Sequence, residues 1–295
     1  MYDQITSNKR KSWLLLTLFL GVIAALGYTG GAYSGDYVGA LTIAGIIAIV
    51  MALTSYYSGD KIALSLAGAY PITHDQNTYV YHLVENLCIA QGLPTPKIYL
   101  IPDQAMNAFA TGRDPQHASL ALTEGIVKKL ANEELEGVIA HELGHIKNFD
   151  IRLATLVIVL VGTITILADI FLRSRLFVPR GSSNRSGNAG GVIMLLGLIL
   201  ALLSPLIANL IKLAVSRRRE FMADASGALA TRYPEGLARA LEKIAADGTP
   251  VARVSEATAH LYFASPFGAA PSLLGKLFST HPPIVDRVKA LRQMA

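Results

Sequence analysis

Apolar residues are concentrated in four long runs, which occupy residues 13–33, 38–57, 153–172 and 192–213. Each run is close to the roughly 20 residues that a helix needs to cross the hydrocarbon core of a bilayer. Only a few residues separate the first two runs, so they predict an N-terminal transmembrane hairpin. The last two runs predict a second hydrophobic hairpin.

Between and after these runs, apolar positions recur with the helix and strand spacing of a folded soluble domain. Helical spacing of apolar positions predicts helices at 77–91, 123–130, 132–146, 234–245, 256–263 and 284–293, with Arg287 and Lys289 exposed on the last. Runs at 97–101, 107–111 and 118–122 are bounded by turn residues and predict strands. We expect a small antiparallel sheet just before the helix at 132–146, which Asn132 would cap. No Gly or Pro separates that helix from the third apolar run, so one long helix could carry both.

Composition and charge indicate a membrane protein. The chain is 52% hydrophobic with a mean hydropathy of +0.41, too apolar for an ordinary soluble domain. The net charge of +5 comes mostly from Lys and Arg beside the apolar runs. Under the positive-inside rule, the basic segment 9–11 and Lys61 place the N-terminus and the region after Lys61 in the cytoplasm. Basic patches interleaved with aromatic residues are absent from the sequence, so we expect no nucleic-acid partner.

The second hairpin fits the charge rule less well than the first. If it spans the bilayer, four arginines of its connecting loop lie on the outer side: Arg173, Arg175, Arg180 and Arg185. Asp169, near the end of the third run, would also be costly in lipid. The hairpin therefore either spans the membrane, which its length favours, or dips into it and packs on the protein.

The strongest chemical signal is a HEXXH motif in the helix predicted at 132–146. His141 and His145 are four residues apart, so both imidazoles stand on one helix face and can reach one metal ion. Glu142 lies beside them, where it can take a proton from water. Two zinc histidines with a glutamate base are the arrangement of a metalloprotease. The single cysteine, Cys88, excludes a cysteine zinc cluster.

A catalytic zinc site needs a third protein ligand and one open position. The downstream candidates are Asp150, Asp169, Glu220, Asp224, Glu235, His260 and His281. We prefer Glu220, because it follows the return of the second hairpin and completes a His2Glu set. Asp224, one turn further on, is predicted to accept the free N–H of a zinc histidine. Asp150 follows His145 by five residues, a spacing that on a continuous helix turns it away from both histidines.

The chain resembles the HtpX-type family of heat-shock-linked bacterial membrane metalloproteases, and more distantly the CAAX prenyl protease and Oma-type mitochondrial peptidases. The resemblance covers nearly the whole chain and is carried by the segments 107–112, 141–145, 216–224 and 280–283. It implies a gluzincin fold and one Zn2+ per chain, held by His141, His145 and Glu220, with Glu142 as the base. It also implies that His281 steadies an oxyanion, and that a strand pairs with the substrate, formed by Asn107, Ala108, Phe109, Ala110 and Thr111.

The resemblance further implies where the protein acts. We expect a multi-pass protein of the bacterial inner membrane whose substrates are unfolded or damaged membrane and cytoplasmic proteins, in a stress response shared with the protease FtsH. The predicted parts are a transmembrane hairpin at 1–59, catalytic segments at 60–152 and 214–295, and the second hairpin at 153–213. The competing interpretation is a zinc-binding membrane scaffold or transporter without hydrolysis. An intact Glu142 argues against a scaffold, because structural zinc needs no base.

Overall fold

The computed structural model describes residues 2–160, 162–163, 216–254, 258–267 and 282–294. The second hydrophobic hairpin beyond residue 163 and His281 lie outside these residues. The described helices are α1 (Tyr2–Ser34), α2 (Tyr37–Leu66), α3 (Thr78–Gln91), α4 (Glu124–Lys129), α5 (Asn132–Lys147), α6 (150–160), α7 (Arg217–Thr231), α8 (Pro234–Asp247) and α9 (Ile284–Arg292). The strands are β1 (Tyr70–Pro71), β2 (Lys97–Ile101), β3 (Ala108–Gly112) and β4 (Ala118–Thr123).

Helices α1 and α2 form the predicted N-terminal hairpin. Both contain apolar segments long enough to cross a membrane, Ile5–Ala32 and Tyr37–Leu66. Small residues bring the two helices together, since a Cβ on Gly27 would meet the Cβ of Ala44 at 2.5 Å. The outer face of α2 is apolar and exposed, at Ile43, Ile46, Ile49, Val50 and Leu53. Such a face is suited to lipid rather than to water.

The small sheet has the strand order β1-β2-β4-β3. The prediction that it is purely antiparallel is wrong, because β2 and β4 run parallel, with Ile98 opposite Leu120. The chain passes from β2 to the far edge to form β3, then turns through Pro115–His117 and returns as β4 between them. Strand β4 is antiparallel to β3, and because β3 runs opposite to β2, β4 is parallel to β2. The two-residue β1 at the other edge was not predicted.

Helix α3 matches its prediction closely. Asn77 caps it by accepting a hydrogen bond from the N–H of Val80 at 3.1 Å, and Gly92 ends it with φ of +67°. Its buried residues follow the helical spacing that predicted the helix: Val80, Leu83, Val84, Leu87 and Cys88. They join the main core with the inner faces of β2, β4, α5 and α8. The sheet and α3 thus form a rigid support beneath the motif helix.

The motif helix has nearly its predicted bounds and does not continue into the third apolar run. It begins after Ala131 rather than after a capping Asn132, and the carboxylate of Glu134 accepts a hydrogen bond from the Ala131 N–H at 2.8 Å. It stops at Lys147, because Phe149 adopts φ of +60°, and helix α6 starts one residue later. A single long helix through the motif and the third apolar run is therefore wrong. The break redirects Asp150.

Two predictions near the C-terminus are also corrected. Residues 256–263 do not form a helix where they are described: a single 3-10 turn spans Ala259–Leu261, and Tyr262 is extended. Helix α9 forms as predicted and leaves Lys289 exposed, but Arg287 is only 1% exposed. Acidic groups inside the protein attract this guanidinium, and periodicity alone did not anticipate them.

Candidate active site

Three side chains converge between α5 and α7. His141 and His145 come from α5 and Glu220 comes from the first turn of α7. The Nε2 atoms of the histidines are 3.1 Å apart, and they lie 3.9 and 3.6 Å from the nearest oxygens of Glu220. Ligands of a tetrahedral zinc ion at about 2.0–2.2 Å would be separated by about 3.3–3.6 Å. The donor types and their spacing therefore fit a divalent zinc-like ion.

Glycines allow the two helices that carry these groups to pack closely. A Cβ on Gly227 of α7 would meet the backbone nitrogen of His141 at 3.1 Å. A Cβ on Gly144 of α5 would meet the Cα of Ala223 at 3.4 Å. A bulkier residue at the first position would push α7, and with it Glu220, away from the histidines.

His141 is oriented by a buried ion pair. Its Nδ1 lies 2.8 Å from Oδ1 of Asp224, one turn after Glu220. Arg287 of α9 donates two hydrogen bonds to the same carboxylate: Nε donates to Oδ2 at 2.8 Å and Nη2 donates to Oδ1 at 2.6 Å. Complete burial lowers the pKa of His141 to about 4, and the positive charge of Arg287 contributes against the pull of Asp224. The ring is therefore neutral, with Nε2 available to a metal.

His145 has a different carboxylate partner. Its Nδ1 lies 3.0 Å from Oδ2 of Asp150. The other oxygen, Oδ1, accepts hydrogen bonds from Arg219 at 3.3 Å and from the side-chain amide of Asn8 at 2.6 Å. Burial lowers the pKa of His145, but the hydrogen bond to Asp150 and the charge of Glu220 outweigh it and raise the pKa to about 9. A metal must therefore displace a proton from His145.

Glu142 is buried beside these ligands, with 2% of its surface exposed. It lines a cavity of about 40 Å³ together with the three converging groups. Aromatic residues close the cavity on one side: Tyr262 and Phe263 line it, and the Phe263 ring lies perpendicular to the His141 ring at 5.0 Å. A carboxylate at the edge of a small cavity can exchange protons with a water molecule held there.

The outer edge of β3 is partly occupied by the chain itself. The carbonyl of Ala108 accepts a hydrogen bond from the N–H of Phe263 at 2.8 Å, and the side-chain amide of Asn107 bonds both the carbonyl and the N–H of Ala264. At the other end, the Gly112 N–H donates to the hydroxyl of Thr155. The backbone of Ala110 faces the same outer edge as those of Ala108 and Gly112, because alternate residues of a strand face the same way. Ala110 also lines the cavity.

The structure brings together most of the residues that the sequence singled out. His141, His145, Glu220, Glu142 and Asp224 meet at one site, and β3 passes beside it. His281 lies outside the described residues. One other group among the described residues has metal-binding spacing, His74 with His82 and Glu85, and its members are exposed or half-exposed. The buried group is the stronger candidate for a metal site, since fixed, desolvated ligands need less reorganisation to bind.

Sequence reasoning considered Asp150 as a ligand but expected it to turn away from the histidines, expected Arg287 to be exposed, and did not single out Asn8. The only local signal for Asp150 was a carboxylate just beyond the motif, and the helix break that turns it inward left no Gly or Pro as a marker. The only signal for Arg287 was its position in the hydrophobic pattern of the last helix, and that position predicted exposure to solvent. Asn8 lies among basic residues at the start of α1, where a membrane anchor explains its polarity.

This chain is similar to known peptidases over most of its length. The model of peptidase family M48 matches residues 74–295. A protease HtpX homolog of Dictyoglomus turgidum is 42% identical, over 99% of this chain and 94% of its own length. Homologs with the same description from Thermoanaerobacter pseudethanolicus and Streptococcus gordonii are 41% and 38% identical, each over 100% of this chain and 98% and 100% of their own lengths.

A solved structure, described as the crystal structure of S. mikatae Ste24p, is similar in fold. It superimposes with a TM-score of 0.50 over 99% of this chain and 67% of that chain, at 20% identity. The match to the family model and the full-length relatives show that this chain belongs to peptidase family M48. It is a metalloprotease with helices able to cross a membrane.

Proposed function

We propose that the protein is a zinc-dependent endopeptidase that cleaves unfolded or damaged membrane and cytoplasmic proteins at the cytoplasmic face of the bacterial inner membrane. The convergence of His141, His145 and Glu220 beside a buried Glu142 carries this proposal. Two imidazoles and one carboxylate form the ligand set of hydrolytic zinc sites, with a position left open. Glu142 would be the base that hydrolysis requires, and a purely structural zinc site would not need such a base.

The chemistry follows from the residues around the cavity. A zinc ion bound here would supply Lewis acidity, which lowers the pKa of water and polarises a peptide carbonyl. Glu142 accepts the proton of the attacking water and returns it to the leaving amine. Asp224 and Asp150 hold the two histidines in the tautomers that present Nε2 to the metal. By the family resemblance, His281 would steady the developing oxyanion.

The substrate backbone is proposed to pair with the outer edge of β3. Within the Asn107–Thr111 segment, Ala110 is the residue that lines the cavity, while Asn107 and Ala108 already bond residues 263–264. Backbone pairing gives affinity with little side-chain selectivity, as suits a protease acting on many unfolded chains.

The contact between Asn8 and Asp150 supports the proposed orientation. It brings the start of α1 next to the active site, so both lie on the same side of a membrane that α1 crosses. Positive charges at residues 9–11 favour the cytoplasm for that side. A functional link to FtsH remains part of the proposal through the family resemblance alone.

The test compares zinc content and cleavage of unfolded casein in detergent. Glu142→Gln should keep zinc and lose cleavage, whereas Glu220→Gln should lose both. Glu133→Gln, an exposed change on the same helix, is the matched control and should resemble wild type. Cleavage by Glu142→Gln at the wild-type rate would contradict the mechanism. Zinc bound by wild type without any cleavage would favour the scaffold.

A further inference from the structure

The first turns of α1 contain a buried polar residue. Asn8 is 2% exposed although its neighbours Lys9 and Arg10 are exposed. Its side-chain amide donates two hydrogen bonds, to Oδ1 of Asp150 at 2.6 Å and to the carbonyl of Asn148 at 3.0 Å. A buried amide with both of these bonds is held in one orientation. Asn8 therefore binds the segment between the motif helix and α6.

Packing between α1 and α6 fixes the height of Asn8 relative to Asp150. Leu15, Phe19 and Ile23 of α1 form a buried cluster with Leu153, Val157 and Leu160 of α6. Asp150 is the first residue of α6, and Asn8 lies about two turns before this cluster on α1. The two polar side chains therefore meet at the end of an apolar helix–helix contact, where little water competes for their hydrogen bond.

Asp150 connects this contact to the active site. Its Oδ2 lies 3.0 Å from Nδ1 of His145, while its Oδ1 faces Asn8 and Arg219. A carboxylate that accepts bonds on both oxygens cannot rotate without losing one of them. The orientation of the imidazole thus depends on the donors at the far oxygen, as is common for groups that support metal-binding histidines.

We propose that Asn8 is a positioning residue of the peptidase: through Asp150 it fixes the orientation of His145, so the first helix completes the active site as well as anchoring it. This inference rests on the proposed role of His145 as a zinc ligand. Asn8 does not line the cavity, so it should influence the metal and the catalytic step rather than the binding of the substrate.

The experiment measures the zinc affinity of the full-length protein in detergent by chelator competition. We expect Asn8→Ala to weaken zinc binding about three- to tenfold, less than the roughly 10–100-fold typical of a direct partner. The visible spectrum of the Co2+-substituted protein should shift, and kcat should fall while KM stays unchanged. Thr6→Ala, an exposed change two residues away on α1, is the matched control and should alter none of these quantities.

A double-mutant cycle separates action through Asp150 from a general loss of structure. In the Asp150→Ala background, Asn8→Ala should change the zinc affinity by less than about twofold, because the connecting group is gone. An equal loss in both backgrounds, or wild-type affinity in Asn8→Ala, would overturn the inference. If Asn8→Ala does not accumulate, Asn8→Leu keeps a similar shape, adds no charge and removes both donors. It should bind zinc more weakly than wild type, and unchanged binding would be equally decisive against the inference.

One further variant distinguishes failure of this inference from failure of the proposed site. His145→Ala should abolish tight zinc binding. If it does so while Asn8→Ala is unaffected, the zinc site stands and only the role of Asn8 is wrong. If His145→Ala binds zinc normally, the proposed ligand set itself is wrong.

Discussion

The two histidines of the motif are one helical turn apart, yet different parts of the chain support them. His141 is held by Asp224 and Arg287, from helices α7 and α9 of the catalytic domain. His145 is held by Asp150, whose other oxygen is bonded by Asn8 of the first apolar helix and by Arg219. One side of the proposed metal site thus depends on the domain core and the other on the membrane-proximal elements.

This difference in support gives the two rings opposite electrostatics. Burial dominates at His141, and Arg287 competes for the shared carboxylate, so the pKa falls. At His145 the Asp150 hydrogen bond and the Glu220 charge exceed the effect of burial, so the pKa rises. A sequence motif therefore defines which atoms bind the metal but not how strongly protons compete for each of them.

The largest expected effect comes from removing the guanidinium on the His141 side. Arg287→Met would leave Asp224 buried beside Glu220 without its cation, and breaking such a buried pair costs about 3–5 kcal/mol of stability. Denaturant unfolding in micelles measures the loss. Lys289→Met, two residues away and exposed, is the control. Similar small effects for both variants would show that the pair with Asp224 is not formed.

The two carboxylates offer a direct comparison of the two sides. Asp224→Asn and Asp150→Asn should each weaken zinc binding about 10–100-fold near pH 8.5. At about pH 6 the loss in Asp150→Asn should be smaller. The variant lacks the carboxylate that raises the pKa of His145, so at this pH fewer protons compete with zinc in the variant than in wild type. Asp224→Asn should show no such recovery, since His141 is already neutral. Parallel pH profiles for the two variants would contradict the asymmetry.

Proton release on zinc binding tests the asymmetry in the unaltered protein. His145, with a pKa of about 9, is protonated near pH 7 without metal, whereas His141, with a pKa of about 4, is not. Calorimetry in buffers of different ionisation enthalpy should find about one proton released near pH 7, and fewer above about pH 9. Release of two protons, or of none, would show that the pKa values are wrongly assigned.

The same pKa values predict how the stability of the metal-free protein depends on pH. The raised pKa of His145 contributes stability that is present below its unfolded value of 6.5 and is lost as the pH rises through about 9. The lowered pKa of His141 contributes stability above 6.5 that is lost as the pH falls through about 4. Thermal unfolding after chelation, between these limits, should therefore show its maximum near neutral pH.

The smallest expected effect comes from adding a methyl group where helices α5 and α7 pack closely. In Gly227→Ala the new Cβ would lie 3.1 Å from the His141 nitrogen, so α7 must shift slightly at an expected cost of about 1–3 kcal/mol. Zinc affinity should fall a few-fold, since Glu220 moves with α7. Gly45→Ala, where no atom lies within 4 Å of the new Cβ, is the control. Equal stability of both variants would mean that the helix crossing tolerates the added volume.

Local patterns were sufficient for much of the fold and for bringing the candidate metal-binding residues to attention. The cap and apolar face of α3, the HEXXH spacing and Glu220 depend on neighbours within a few turns, or on a hairpin that returns to the same side. These are relations that periodicity and ligand chemistry express directly. The full set of ligands could be proposed for that reason.

The remaining features depend on contacts between distant segments. The parallel pairing of β2 with β4 follows from the order in which strands assemble, which no local pattern encodes. Asp150 faces His145 only because Phe149 adopts a positive φ. Arg287 and Asn8 are polar residues whose burial is compensated by acids 63 and 142 residues away in the chain. Burial of such groups can be understood only once their partners are in place.

The most direct test of the central claim is zinc K-edge X-ray absorption of the full-length protein in detergent, compared with Glu220→Gln. We expect two imidazole nitrogens and carboxylate oxygen at about 2.0–2.2 Å, without sulfur, and loss of bound zinc or of the carboxylate in the variant. A sulfur ligand, or an identical spectrum from fully zinc-loaded Glu220→Gln, would contradict the central claim.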